Sequence, residues 1–252
     1  ARFREAAAHR LPYAPAATLP QAPGFDRPEG SFAVRAFGNV VHRYLQQLAE
    51  RFAANPSPTA PNQLLAELPS WLPRLEASLR GEGLPPALAA AEAPRALDAL
   101  TLTLADPIGR WLLAPHPQAS SELSLTTQRL RTLRVDRTFL AGPEPAGPEP
   151  AGPEPAGSAA PTHIWIVDFK TTTQGARSAA AFREAELAKY REQMETYAEL
   201  RRGLPDGHLP IRLGLFYPLL PALFHWPSAP ADASSIPAPP VTGSPTAPRQ
   251  LR

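Results

Sequence analysis

The sequence predicts an α/β fold: a central mixed β-sheet of about four strands flanked by helices, with an added N-terminal helical part. Three observations support it. Apolar residues recur at three- and four-residue steps over 31–54 and again over 178–202, the spacing of amphipathic helices. Stretches between 121 and 140 alternate with a period of two, as half-buried strands do. Ile164-Trp165-Ile166-Val167 is apolar without a break, as in a strand covered on both faces.

Composition sets the boundaries. Of the 34 prolines among 252 residues, 18 fall in residues 1–30, 141–160 and 227–252. Residues 1–30 read as a tether or linker, 31–226 as the folded domain, 141–160 as a low-complexity loop insertion and 227–252 as a disordered tail. No apolar run is long enough for a membrane span, and no basic start followed by an apolar stretch marks a secretory signal. The absence of cysteine excludes disulfides and thiolate metal sites. A chain that opens on Ala1 reads as a piece of something longer. The net charge of +2 says nothing of nucleic acid, which needs a local patch. Its make-up says more: of 25 basic residues only Lys170 and Lys189 are lysine.

Taken in order, Ser31 is a plausible N-cap for the first helix, which presents Phe37, Val40, Val41, Tyr44, Leu45 and Leu48 on one side. Helices near 62–79 and 86–105 follow, then a short one over 108–113 with Trp111. Strands are expected over 121–126 and 129–140, with Leu123, Leu125, Leu133, Val135 and Thr138 facing inward. A third strand spans 163–170. The helix over 178–202 turns Phe182, Leu187, Tyr190, Met194, Tyr197 and Leu200 one way, and a strand over 211–217 is stopped by Pro218. The insertion repeats Ala-Gly-Pro-Glu-Pro three times. That spacer is extended and polyproline-like, and reads as a swollen turn between the second and third strands.

The chemistry concentrates at Ile166-Val167-Asp168-Phe169-Lys170-Thr171. Strand alternation puts Asp168 and Lys170 on one face and Phe169 on the other. A carboxylate beside an ammonium suits a hard cation and a positioned water; alone it is equally a surface ion pair. A second carboxylate, Asp136, lies in the preceding strand. With 141–160 set aside, Asp136 and Asp168 fall at hairpin distance, and two close carboxylates repel unless neutralised. Taken singly, Asp136 reads as a charge paired with Arg134 or Arg137. His42 lies mid-helix, one turn after Gly38, whose missing side chain is expected to let the helix pack closely on the sheet. Gln193 and Tyr197 share one face of the later helix.

Helix with Gly-x-x-x-His, strand with Val-Asp-Arg, strand with Val-Asp-Phe-Lys-Thr and helix with Gln-x-x-x-Tyr, in this order, resemble the RecB-type nuclease domain of the PD-(D/E)xK superfamily. That domain ends the RecB- and AddA-like (UvrD-type) helicase–nucleases, and the match covers roughly 31–226. The resemblance implies a restriction-endonuclease-like core and a Mg²⁺-dependent deoxyribonuclease, with Mn²⁺ as the alternative ion. It implies His42, Asp136, Asp168 and the Phe169 carbonyl as metal ligands and Lys170 as the catalytic lysine. Gln193 and Tyr197 would hold the site and the DNA phosphates, and Glu122 would be an auxiliary acid. The implied partners are single-stranded DNA ends, a helicase motor N-terminal to this chain and a RecC/AddB-like subunit, in the bacterial cytoplasm and away from membranes. No Gly-x-x-x-x-Gly-Lys-[Ser/Thr] occurs, so the motor is not in this chain. Two features depart from the family: Arg134-Val135 precede Asp136 where a glycine is common two residues before it, and the insertion is expected close to the catalytic strands. The alternatives are a silent DNA-binding or scaffolding domain, and a free-standing exonuclease of an iron–sulfur-bearing branch, which the missing cysteines disfavour.

Overall fold

The computed structural model describes residues 32–126, 132–144, 161–204 and 208–229. Ser31 as a cap, the 1–30 tether, most of the repeat insertion and nearly all of the tail lie outside them. Six helices form among the described residues: α1 (Phe32–Ala54), α2 (Ala60–Glu67), α3 (Leu72–Gly81), α4 (Pro86–Ala105), α5 (Pro107–Leu113) and α6 (Ala179–Arg202). A 3-10 turn, Leu68–Trp71, joins α2 to α3. The five strands are β1 (Ser120–Thr126), β2 (Thr132–Ala141), β3 (His163–Phe169), β4 (Ile211–Tyr217) and β5 (Ala222–Pro227).

The strands lie in the order β1-β2-β3-β4-β5. All neighbours are antiparallel except β3 and β4, which run parallel because α6 carries the chain back across the sheet. The α/β class with a mixed, helix-flanked sheet and an N-terminal helical part is therefore what the chain adopts. The sheet has one strand more than expected: β5 returns from β4 through a tight turn closed by Leu220 N–H donating to Tyr217 O at 3.0 Å. Among the described residues no helix is long and apolar enough to cross a membrane.

The core has two halves, one on each face of the sheet. On one, α1 to α5 pack Val40, Val41, Leu45, Leu100 and Leu112 against Phe139, Trp165, Val167 and Phe216. On the other, Phe182, Met194, Tyr197 and Ala198 of α6 cover Ile164, Ile166, Leu213, Leu215 and Tyr217. Central β3 contributes to both, and its side chains from Ile164 onward are all buried. That is the physical content of its unbroken apolar run.

Alternation fails at one place. Val135 faces α6, and so does Leu140, an odd number of residues later, so one extra residue has been absorbed between them. Asp136 and Arg137 both turn toward the α1–α5 face. Arg137 donates to the carbonyls of Leu112, Leu113 and Ala114 and to Ser121 Oγ. It thus satisfies the C-terminal carbonyls of α5, which have no intrahelical donors. Opposite, Glu122 has a left-handed backbone, φ 55°.

Gly38 does not serve the packing role expected of it. A Cβ there would meet Thr171 Oγ1 at 3.5 Å, an ordinary contact, whereas at Gly109 it would lie 2.1 Å from the carbonyl oxygen of Thr103. Gly109 also donates its N–H to the Asp106 side chain that caps α5. Gly109→Ala should therefore lower stability by roughly 3 kcal/mol. Gly38→Ala should be neutral or raise stability by up to about 1 kcal/mol through helix propensity. Thermal melts of the two variants check this, and equal losses would contradict it.

Candidate active site

The site lies at the C-terminal end of β3, where the sheet opens. Pairing of β2 with β3 stops at Arg137 and Val167; one step further in the same register Asp136 faces Asp168. There the strands exchange a side-chain contact: Asp136 Oδ2 accepts the backbone N–H of Phe169 at 2.7 Å. Its other oxygen lies 3.3 Å from Nδ1 of His42 on α1. Asp168, 5% exposed, lies 2.8 Å from Nζ of Lys170, so the expected same-face pair forms. Phe169 points the other way, with its ring edge-on to His42.

α6 closes the opposite side. Gln193 Nε2 donates to the Tyr197 hydroxyl at 2.6 Å, and Tyr197 is 3% exposed. So Tyr197 braces the floor, and Gln193 is the member of the pair that can reach an incoming strand. Tyr190, one turn before Gln193, places its ring 3.7 Å from Lys170 Nζ. Sequence reasoning had Tyr190 only as a core-facing residue; its place one turn before Gln193 was the available signal.

The structure brings together His42, Asp136, Asp168, Phe169, Lys170, Gln193 and Tyr197. Glu122 stands apart: it lies across from Asp136 in the β1–β2 register but pairs with Arg134 at 3.4 Å. Neither Arg134 nor Arg137 pairs with Asp136, because one is held by Glu122 and the other by α5. The insertion is not close to the catalytic strand ends either. Ala141 pairs with His163, so the chain leaves β2 and re-enters β3 at the far end of the sheet, about 17 Å from Asp168 at the rise of an extended strand.

The charges divide unequally between the carboxylates. Burial pushes Asp168 up and the neighbouring Asp136 charge pushes further, to about 6, against the pull of Lys170. Burial also acts on Asp136, but the His42 charge and hydrogen bond and the Phe169 N–H outweigh it and hold that group below the usual carboxylate range. Burial alone would depress His42; Asp136 and Asp168 together raise it. Lys170 is likewise raised, the attraction of Asp168 exceeding the effect of burial, so it is an ammonium at neutral pH. Burial and the Asp168 charge push the Tyr197 hydroxyl up to about 12.

As they stand, no three His, Asp or Glu side chains among the described residues form a group that could hold a metal ion. His42 Nδ1 is spent on Asp136, and Lys170 takes the cation's place beside Asp168. The donor chemistry nevertheless fits a hard ion. Oδ2 of Asp168 is buried without an aligned hydrogen bond, its short contact with Lys170 being an ion pair only, and it faces a second carboxylate. No family model matches the chain, and no curated protein matches it.

A pH signature follows from these shifts. The raised Asp168 stabilises the fold most when protonated, fully below about 4, and that contribution is lost as pH rises through about 6. Raised His42 loses its share above its ordinary 6.5. Without added metal, stability measured by calorimetry should therefore fall from pH 5 to pH 8. Asp168→Asn should remove the lower part of that slope, worth on the order of 3 kcal/mol, although leaving Lys170 without its partner lowers absolute stability. An unchanged slope in the variant would refute the assignment.

Proposed function

We propose that this chain is a nuclease domain that hydrolyses DNA phosphodiester bonds with Mg²⁺, on the restriction-endonuclease-like core that its motifs resemble. The observation behind this reading is the convergence of Asp136, Asp168 and Lys170 at one splayed strand end, backed by His42 and the Gln193–Tyr197 pair. Coincidental charges, as a plain structural ion pair would supply, give no reason for two buried carboxylates to face each other.

Asp136 and Asp168 would hold the ion, with the Phe169 carbonyl between them in the chain and His42 released from Asp136 as a further ligand. A divalent ion there supplies polarisation of the scissile phosphate and a more acidic bound water. The protein's own groups do the rest. Lys170, protonated at rest, orients the attacking water and offsets charge building on the phosphorus oxygens. It is less suited to removing a proton, given how strongly Asp168 holds its charge. Tyr197 keeps the floor dry beneath Asp168, and Gln193 meets the strand backbone. The resemblance further assigns the domain to a helicase–nuclease that processes DNA ends, with the motor in a separate domain and a RecC/AddB-like subunit as partner.

Incubation of the 252-residue chain with single-stranded DNA tests this. Cleavage should require Mg²⁺ or Mn²⁺ and stop with chelator. Asp168→Ala should abolish it, and Lys170→Ala should slow it by at least about a hundredfold, with circular dichroism unchanged. Binding without cleavage would make the chain a silent DNA-binding domain. Cleavage by either variant would remove these residues from the chemistry.

A further inference from the structure

The chain uses arginine almost everywhere a cation is needed, and keeps lysine at two positions, 170 and 189. These belong to different elements. Lys170 follows the last residue of β3 and Lys189 lies in α6, yet both ammonium groups lie over the same ring. Tyr190 has Lys170 Nζ 3.7 Å from its centroid and Lys189 Nζ 4.9 Å from it. An aromatic face attracts cations electrostatically. A lysine there brings a compact charge with three rotatable donors, where guanidinium brings a planar fork.

The charges of the site explain why a second lysine belongs here. Asp136 and Asp168 are balanced by His42 and Lys170, so an approaching phosphate meets no net attraction from those four groups. Lys189 is exposed and adds a positive charge beside them. We propose that Tyr190 is a positioning residue that orders both lysines, and that Lys189 is a backbone-phosphate contact for a single nucleic-acid strand entering the site. The second half rests on the nuclease reading; the first half stands on geometry alone.

The two halves have separate readouts. In the full chain, reductive ¹³C-methylation keeps the lysine charge and labels only two side chains and the terminal amine. Both lysine methyl signals should be displaced upfield by the Tyr190 ring, remain so in Tyr190→Phe and return to ordinary positions in Tyr190→Leu. Signals at ordinary positions in the wild type, or unmoved in Tyr190→Leu, overturn the positioning role. For the second half, a fluorescent oligothymidylate is titrated at several salt concentrations. Lys189→Gln should weaken binding and reduce the slope of log affinity against log salt by about 0.7, one single-strand phosphate contact, and Lys189→Arg should restore it. An unchanged slope overturns the phosphate contact. Wild-type protein that binds no oligonucleotide overturns it together with the nuclease reading, while the methyl shifts still decide the role of Tyr190. In cleavage assays Tyr190→Leu should lower kcat about tenfold, with KM little changed; a change confined to KM speaks against ordering of Lys170.

Discussion

Two carboxylates facing each other across adjacent strands set the terms for this molecule. In water such a pair is easily tolerated; under two packed layers it is expensive unless each charge is answered. Asp136 is answered by the His42 ring and by a backbone N–H, Asp168 by Lys170 alone. The asymmetry is chemical as well as geometric, leaving one carboxylate firmly ionised and the other poised near neutrality. Each compensating group comes from a different element, so α1, β2, β3 and α6 must all be in place for the pair to persist. The helices on both faces thus serve the strand end as much as they bury the sheet.

Local departures from regularity create that strand end. The extra residue absorbed at Asp136 turns two successive side chains to the same face, one for the site and one, Arg137, for the carbonyls of α5. Regular alternation would have put Asp136 and Arg137 on opposite faces, losing either the contact with His42 or the α5 cap. The same element that shapes the site therefore anchors the helical layer behind it. A lone arginine bridging strand and helix end does what a longer hydrophobic contact would do elsewhere, with hydrogen bonds as the fixing force.

Most of this was legible in the chain because strong periodicities sit on the elements that matter. Helices α1 and α6 and strand β3 announce themselves through apolar spacing, and Asp168 and Lys170 follow from strand alternation alone. Asp136 became interpretable once the repeat insertion was set aside. Strand β5 escaped because Ala222-Leu223-Phe224-His225-Trp226 is short and bracketed by Pro221 and Pro227, so propensity favours a loop and only pairing with β4 makes it a strand. The role of Tyr190 escaped for another reason: a ring at helical spacing looks like core, and its cation is supplied by a residue on a different element. Gly38 shows the opposite error, a glycine credited with close packing in a place where there is room for a methyl group.

The β2–β3 connection has a practical meaning. Its ends, at Ala141 and His163, lie across the full length of the sheet from Asp168, and closing a longer loop costs free energy only logarithmically in its length. Replication slippage in a repetitive, GC-rich stretch can then add or drop pentapeptides while the reacting groups stay where they are. For the experimenter the same geometry marks a graft point: a fluorophore, an affinity handle or a surface tether placed there reports on the enzyme from behind, out of the path of its substrate.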